Sequence, residues 1–266
     1  MKHIPTLAKG LALASIATIA TISQAIAADD TETQDMSDPL AVYTQLGVSY
    51  GTNGINLKLG KTLDTGSATD MSMFLFEVKG IYGEHMKHQG SSSLTPESAN
   101  NGISELRFRK FDVDMTNGRG ISMDVIHNFD TNSGTASLGM IQALPKVGIW
   151  QAFPIIAAGV EYNDGSKHSA TNEASGLHSD FVFASFTLYN KFQLTDTIWA
   201  NYNPIYTQAV FGDVHYTENL KGSNGLTHEF ILSWQMTPTQ NFRLWYNASQ
   251  NQFADGDFRL EYNQQF

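Results

Sequence analysis

Residues 119–130, RGISMDVIHNFD, sort themselves on every second position. Ile121, Met123, Val125, His127 and Phe129 fall in one set, and Ser122, Asp124, Ile126, Asn128 and Asp130 in the other. An extended strand with one greasy flank and one wet flank produces this sorting, because successive side chains point to opposite faces. The stretch GLTHEFILSWQMT, residues 225–237, repeats it, with Leu226, His228, Phe230, Leu232, Trp234 and Met236 set against Thr227, Glu229, Ile231, Ser233 and Gln235. The final nine residues, FRLEYNQQF, do so again and place Phe258, Leu260, Tyr262, Gln264 and Phe266 on one side. Such segments run to ten residues or more, against about 5–6 for an ordinary strand.

The other end of the chain reads as an export signal. Lys2 and Lys9 precede the apolar run LALASIATIATI, and Ala25 and Ala27 make a small-residue cleavage pattern, so residues 1–27 are expected to be removed after Ala27. No cysteine follows the apolar run, which excludes a lipid-anchored lipoprotein, and the sequence contains no Cys at all, which excludes disulfides and thiolate metal sites. Loss of Lys2 and Lys9 moves the formal charge from -10 to -12. An acidic exported chain without clustered Lys and Arg is unsuited to nucleic acid, which demands phosphate neutralisation. Residues 28–40, which include DDTETQDMSD, are expected to form an acidic, disordered periplasmic tail.

Beyond the tail no apolar run is long enough for a transmembrane helix, and period-two segments fill residues 41–266. Strands are expected at 41–50, 55–63, 70–83, 102–115, 119–130, 135–144, 147–162, 177–192, 197–212, 225–237, 241–250 and 256–266. The connections alternate between tight turns such as TPTQ and QLTDT and long polar loops at 84–101, 163–176 and 213–224. An even count is needed if both chain ends lie on one side of a membrane. Splitting the first segment at GTNG, a good hairpin turn by composition, gives twelve strands, with ten as the alternative. Closure into a barrel follows from the solvent, since an open sheet edge in hydrocarbon leaves backbone groups unpaired at several kcal/mol each. Pro154 and Pro204 interrupt two strands and are expected at bulges. Trp150, Phe153, Phe192, Trp199, Trp234, Phe242 and Phe266 cluster at the tight-turn ends, as an interfacial aromatic girdle would.

The signal segment, the alternating strands and the terminal FRLEYNQQF with Phe266 last resemble Gram-negative outer-membrane β-barrel proteins of the small porin-like class. That resemblance implies an all-β, antiparallel transmembrane barrel with short periplasmic turns and longer extracellular loops, embedded among outer-membrane lipids and lipopolysaccharide. It also implies that Phe266 and Tyr262 belong to the C-terminal signal read by the barrel-assembly machinery. Gln264 departs from the apolar preference at its position.

With the apolar set facing lipid, the lumen receives the polar set. Alternation assigns Lys58, Glu77, Lys79, Glu105, Arg107, Arg109, Asp124, Glu229, Arg243, Arg259 and Glu261 to it. In ELRFRKFDVD, Phe111 and Val113 share the phase of Arg107 and Arg109, which a bulge near Lys110 would reconcile. Pairing Thr237 with Asn241 puts Glu229 opposite Ser249, and a matching register across residues 251–256 puts Ser249 opposite Arg259. These charges either satisfy one another structurally or form a constriction that sorts small polar solutes. A closed surface-interaction barrel and an outer-membrane lipid hydrolase are the competing functions. The hydrolase has only His178, Ser179 and Asp180 to draw on, and neighbours on a strand face opposite ways. His85, His88, His168 and His215 are scattered in or beside loops, and neither a metal site nor a cofactor is expected.

Overall fold

A computed structural model describes residues 33–83, 102–164, 177–212, 224–251 and 253–266. Residues 1–32, which hold the expected signal segment, and the loops carrying His85, His88, His168 and His215 lie outside the described residues. Twelve antiparallel strands close into one barrel: β1 (Gln45–Gly51), β2 (Gly54–Leu63), β3 (Asp70–Ile81), β4 (Glu105–Asp114), β5 (Arg119–Asn128), β6 (Ser133–Gln142), β7 (Trp150–Asp164), β8 (Leu177–Gln193), β9 (Ile198–Gly212), β10 (Asn224–Thr237), β11 (Gln240–Ser249) and β12 (Asp257–Gln265). Each strand pairs with its sequence neighbours, and β1 pairs with β12 from Gln45↔Gln265 to Gly51↔Arg259. The count is twelve and not the alternative of ten, and the first hairpin turns at GTNG as expected. Gly51 pairs with Gly54 across Thr52 and Asn53, and Gly54 adopts φ +103°, a conformation a side chain would strain.

The outer surface is apolar, with Leu138 64% and Ile156 57% exposed, as hydrocarbon solvent requires. Gln264 lies on it near the end of β12, where its side-chain oxygen accepts from Tyr262 Oη at 3.1 Å and Gln240 Nε2 at 2.7 Å, so the polar group is satisfied. Phe266 closes the sheet, its N–H donating to the Thr44 carbonyl at 3.0 Å.

Several local expectations are corrected. No bulge occurs near Lys110: β4 pairs with β3 and with β5 in unbroken register. Phe111 and Val113 therefore face inward with Arg107 and Arg109. Pro154 pairs with Leu188 without a register shift, just past Ile141↔Ile155 where the β6–β7 pairing stops. Pro204 makes no bulge either: β8–β9 partners drop out between Thr187↔Ile205 and Asn190↔Tyr202, but the register is the same on both sides, and Pro204 pairs with His228 on β10 in unbroken register. There the Asn203 side-chain oxygen takes the Asn190 backbone N–H at 3.0 Å, a bond the ladder does not supply. Thr237 pairs with Gln240 and not with Asn241, and a bulge separates Gln235 from Thr237. The whole β10–β11 register moves by two residues, so Glu229 faces Asn247 and Ser249 faces Thr227, and the β11–β12 register moves by four, so Arg259 faces Trp245. A shift of two keeps every residue on its own face, whereas a shift of one would have turned the strand inside out.

The largest difference lies before β1. The first strand begins at Gln45 rather than at residue 41, and the segment ahead of it is packed inside the barrel in place of a solvated tail. Met36, Leu40, Val42 and Tyr43 are buried. Leu40 and Val42 join Met73, Leu75, Val113 and Phe153 in one apolar cluster, flanked by Met71, Phe111, Ile141, Ala143 and Tyr189. All these barrel residues sit at the tight-turn ends of β3, β4, β6, β7 and β8, the end where β1 starts and β12 finishes. Two turns shape the segment: Asp35 accepts from the Ser37 N–H at 2.8 Å, and Asp38 from the Leu40 N–H at 2.9 Å.

Candidate functional site in the barrel lumen

Above the buried segment lies a cavity of about 620 Å³. Its lining takes in ten of the eleven residues that alternation assigns to the lumen: Lys58, Glu77, Lys79, Glu105, Arg107, Arg109, Glu229, Arg243, Arg259 and Glu261. The eleventh, Asp124, stands beside them on β5 and holds Arg107 through two guanidinium bonds, Nε to Oδ1 at 2.9 Å and Nη2 to Oδ2.

The charges alternate around one wall. Arg109 Nη2 donates to Glu77 Oε2 at 2.8 Å, and Arg107 Nε approaches the same oxygen at 4.0 Å. Lys79 Nζ bonds Glu105 at 2.7 Å, and Lys58 Nζ bonds Glu261 at 2.8 Å. The last pair spans three strands, from β2 over β1 to β12, and a glycine makes that possible. Gly47 sits opposite both Lys58 and Asn263, and a Cβ there would fall 2.7 Å from Lys58 Cε and 2.8 Å from Asn263 Oδ1. Arg259 Nε lies 4.0 Å from Glu261 while its guanidinium covers the Trp245 ring at 4.4 Å, a cation–π contact within the productive range. Glu229 accepts from Asn203 Nδ2 at 2.7 Å, so it does not share a serine with Arg259.

The facing wall, from β6 to β9, turns Ser137, Gly139, Ala157, Ser185, Thr187 and Thr207 inward, by continuity of register with inward Asp124 and Ile155. These side chains are small and uncharged. The same register turns Glu161 of β7 and Lys191 of β8 inward, so the lumen pairs a crowded charged arc with one where charges are few.

At the tight-turn end the segment is fastened to the opposite arc by polar contacts. Arg243 Nη2 donates to the Met36 carbonyl at 2.8 Å, and its guanidinium stands 6.0 Å from the Trp199 ring centroid. Gln235 Nε2 and Asn241 Nδ2 reach the Met36 sulfur at 3.3 and 3.7 Å. Lys191 Nζ bonds Ser37 Oγ and lies 3.7 Å from Asp35 Oδ2. Burial pushes the Asp35 carboxyl up, but the Ser37 hydroxyl and N–H together with Lys191 outweigh it, so its pKa falls below the ordinary carboxylate value. Below the segment a second space of about 320 Å³ opens at the rim, bordered by Thr33, Gln34, Gln193, Asp196, Gln235 and Pro238 among others.

Alternation found the charged arc but missed the segment and its seat. Phe153 and Trp199 point into the lumen, buried at 1% and 3% exposure, and are not girdle residues; Trp150 and Trp234 remain on the outer face. The signal for the seat was present in β3 and β4, where Met71, Met73 and Leu75 share the phase of Glu77, and Phe111 and Val113 that of Arg109. Ser179 pairs with Tyr162 and His178 with Asn163 on β7. Among the described residues no cluster of three or more His, Asp or Glu is arranged to hold a metal ion.

No family model matches the chain, and no curated protein matches it. Solved structures do. The COG4313 outer membrane channel from Pseudomonas putida superposes with a TM-score of 0.58 at 11% identity, over 89% of this chain and 100% of that one. The NanC porin gives a TM-score of 0.48 at 8% identity, covering 85% of this chain and 99% of its own. The KdgM porin in complex with disordered oligogalacturonate gives 0.48 at 7% identity, with coverage of 85% and 99%.

Proposed function

We propose that this outer-membrane β-barrel is a small porin-like channel for passive diffusion of small polar solutes. The observation that carries the reading is the cavity of about 620 Å³ inside a closed barrel, densely charged on one arc and sparsely on the other. A buried network of ion pairs is a costly way merely to fill an interior, since apolar packing of similar volume is often as stable. Rings and arcs of fixed charge are, by contrast, how pores discriminate among solutes. On this reading Lys58, Glu77, Lys79, Glu105, Arg107, Arg109, Asp124, Glu229, Arg243, Arg259 and Glu261 line the route. Phe266 and Tyr262 carry the assembly signal, residues 1–27 are removed on export, and the protein does no chemistry on what it passes.

Purified protein, refolded from residue 28 onward and inserted in planar bilayers, is expected to give discrete ion currents. A heat-modifiable band on a cold detergent gel verifies that the sample is folded. Folded protein that never conducts refutes the channel. The second reading, a closed barrel used for surface interaction, is favoured by one observation: the apolar segment 36–43 lies across the lumen. It predicts silence in the same bilayers.

A further inference from the structure

The two spaces inside the barrel share a boundary. Met36, Ser37 and Trp199 line both the large cavity and the smaller one at the rim, so they form the partition between them. Trp199 belongs to β9 and is fixed by the sheet. Met36 and Ser37 belong to the segment before β1, which the sheet holds from Gln45 onward.

The segment is held unevenly. Around Leu40 and Val42 it is sunk into an apolar seat formed by Met73, Leu75, Val113 and Phe153. Ahead of Pro39 one apolar side chain, Met36, is buried, and the other attachments are polar: the Arg243 bond to the Met36 carbonyl, the Lys191 bond to Ser37, amide contacts to the Met36 sulfur, which is a weak acceptor, and hydrogen bonds between the Gln34 backbone and the Gln265 side chain. Polar bonds beside water exchange for bonds to water at little net cost, so releasing residues 33–38 exposes mainly the single Met36 side chain, whereas drawing out Leu40 and Val42 opens the whole apolar seat. Residues 33–38 can therefore move as an arm while residues 40–42 remain docked. Movement of this arm removes Met36 and Ser37 from the partition and leaves only Trp199.

We propose that the arm is the gate of the lumen: seated, Met36 and Ser37 close the passage against Trp199, and displaced, the two spaces join into one conduit. The proposal rests on the channel reading and adds where and how the passage is controlled. The moving part belongs to the chain ahead of the first strand and not to an extracellular loop, and Arg243 is its catch.

The chain has no cysteine, so an engineered pair is uncontested. Met36→Cys combined with Asn241→Cys puts thiols at the γ positions of two side chains whose outer atoms now meet at 3.7 Å, a gap that a short bifunctional reagent can span. Bridging them with a short bifunctional thiosulfonate should lower single-channel conductance several-fold, and reduction should restore it. Arg243→Ala, with both native partners of the partition kept, should raise the open fraction. Currents that are unchanged by bridging and by Arg243→Ala overturn the gate while leaving the channel standing. Absence of current in every state overturns the channel, and the gate with it. As a check that does not depend on conductance, the thiol of Met36→Cys alone should be labelled by a small charged thiosulfonate in folded, heat-modifiable protein, and faster when Arg243→Ala is added. Labelling only after unfolding also overturns the gate.

Discussion

Lys58 and Leu75 both point into the same barrel from adjacent strands, yet they occupy opposite environments. Lys58 reaches across Gly47 to Glu261 in an ion pair that borders a polar cavity. Leu75, two positions from Glu77 along β3, is 5% exposed and packed under Leu40 and Val42. One strand thus passes from charged to apolar on a single face. The lumen is built in two storeys, and each is stabilised by what the other excludes. The upper storey needs water or counter-charge at every site, and the lower one needs a hydrophobic lid that the sheet cannot provide for itself. The chain supplies that lid from the residues immediately before β1.

Breaking the upper storey should have the largest effect. Lys58→Met leaves Glu261 buried beside Arg259 with its closest partner gone, and removal of one member of a buried pair costs about 3–5 kcal/mol. Equilibrium denaturant unfolding in detergent or lipid vesicles measures it. The double variant Lys58→Met, Glu261→Met should recover part of that loss, because no carboxylate is left without its lysine, although Arg259 then loses Glu261 and keeps only the Trp245 ring. If the single and double variants are equally stable, the pair is screened by lumen water and the upper storey is wetter than its hydrogen bonds imply.

The lower storey responds in a different coordinate. Leu40→Ala empties the apolar seat at a cost of about 2–5 kcal/mol, the range for burying Leu in a packed core. Since the seat closes a segment and not the sheet, the loss should appear as exposure of residues 33–44 to protease, with the denaturant midpoint of the barrel nearly unmoved. A fall in the midpoint equal to that of Lys58→Met would show that the segment is part of the cooperative barrel.

Gly47→Val tests the joint between sheet and ion pair. A side chain there meets Lys58 and Asn263 at distances no real contact tolerates, so it overpacks the wall at about 1–3 kcal/mol. Deflection of Lys58 from Glu261 accompanies it, and combining Gly47→Val with Lys58→Met should be much less than additive. Full additivity would mean that the glycine serves backbone geometry alone.

How legible this molecule was depends on how many solvents each strand meets. Where a strand has lipid on one side and water on the other, alternation reads it correctly: the strand count, the outward apolar set and the inward charges of β2, β5, β11 and β12 all follow from it. The failures share one cause. Phe111, Val113, Phe153 and Trp199 were referred to a bulge or to the lipid interface because an apolar inward residue has no place in a two-solvent picture. The third environment, the buried segment, comes from residues that read as an acidic tail up to residue 40 and as the start of a strand from residue 41. Its apolar members, Met36, Leu40, Val42 and Tyr43, are too few and too irregularly spaced to form a periodic signal. Register was the other loss. The β10–β11 connection is one residue shorter than TPTQ suggests and carries a bulge, and the β11–β12 register differs by four, so Glu229 and Arg259 were paired through the wrong partner even though both faces were right.

The smallest effect belongs to the polar fastening of the arm, and its sign follows from Asp35. Its carboxyl is held below the ordinary value of about 3.9, so the stability it contributes is complete above that value and is lost as pH falls through the lowered one. Between pH 7 and 5 the labelling rate of Met36→Cys should not change on this account, and it should rise only as the medium becomes more acidic than the usual carboxylate range. Asp35→Asn should label faster at neutral pH and lose most of the acid response. The difference should be slight, because the Asp35 side chain is 67% exposed and its attraction to Lys191 is screened by solvent. An acid response that survives intact in Asp35→Asn would place the sensitive group in the upper storey and tie the two storeys together.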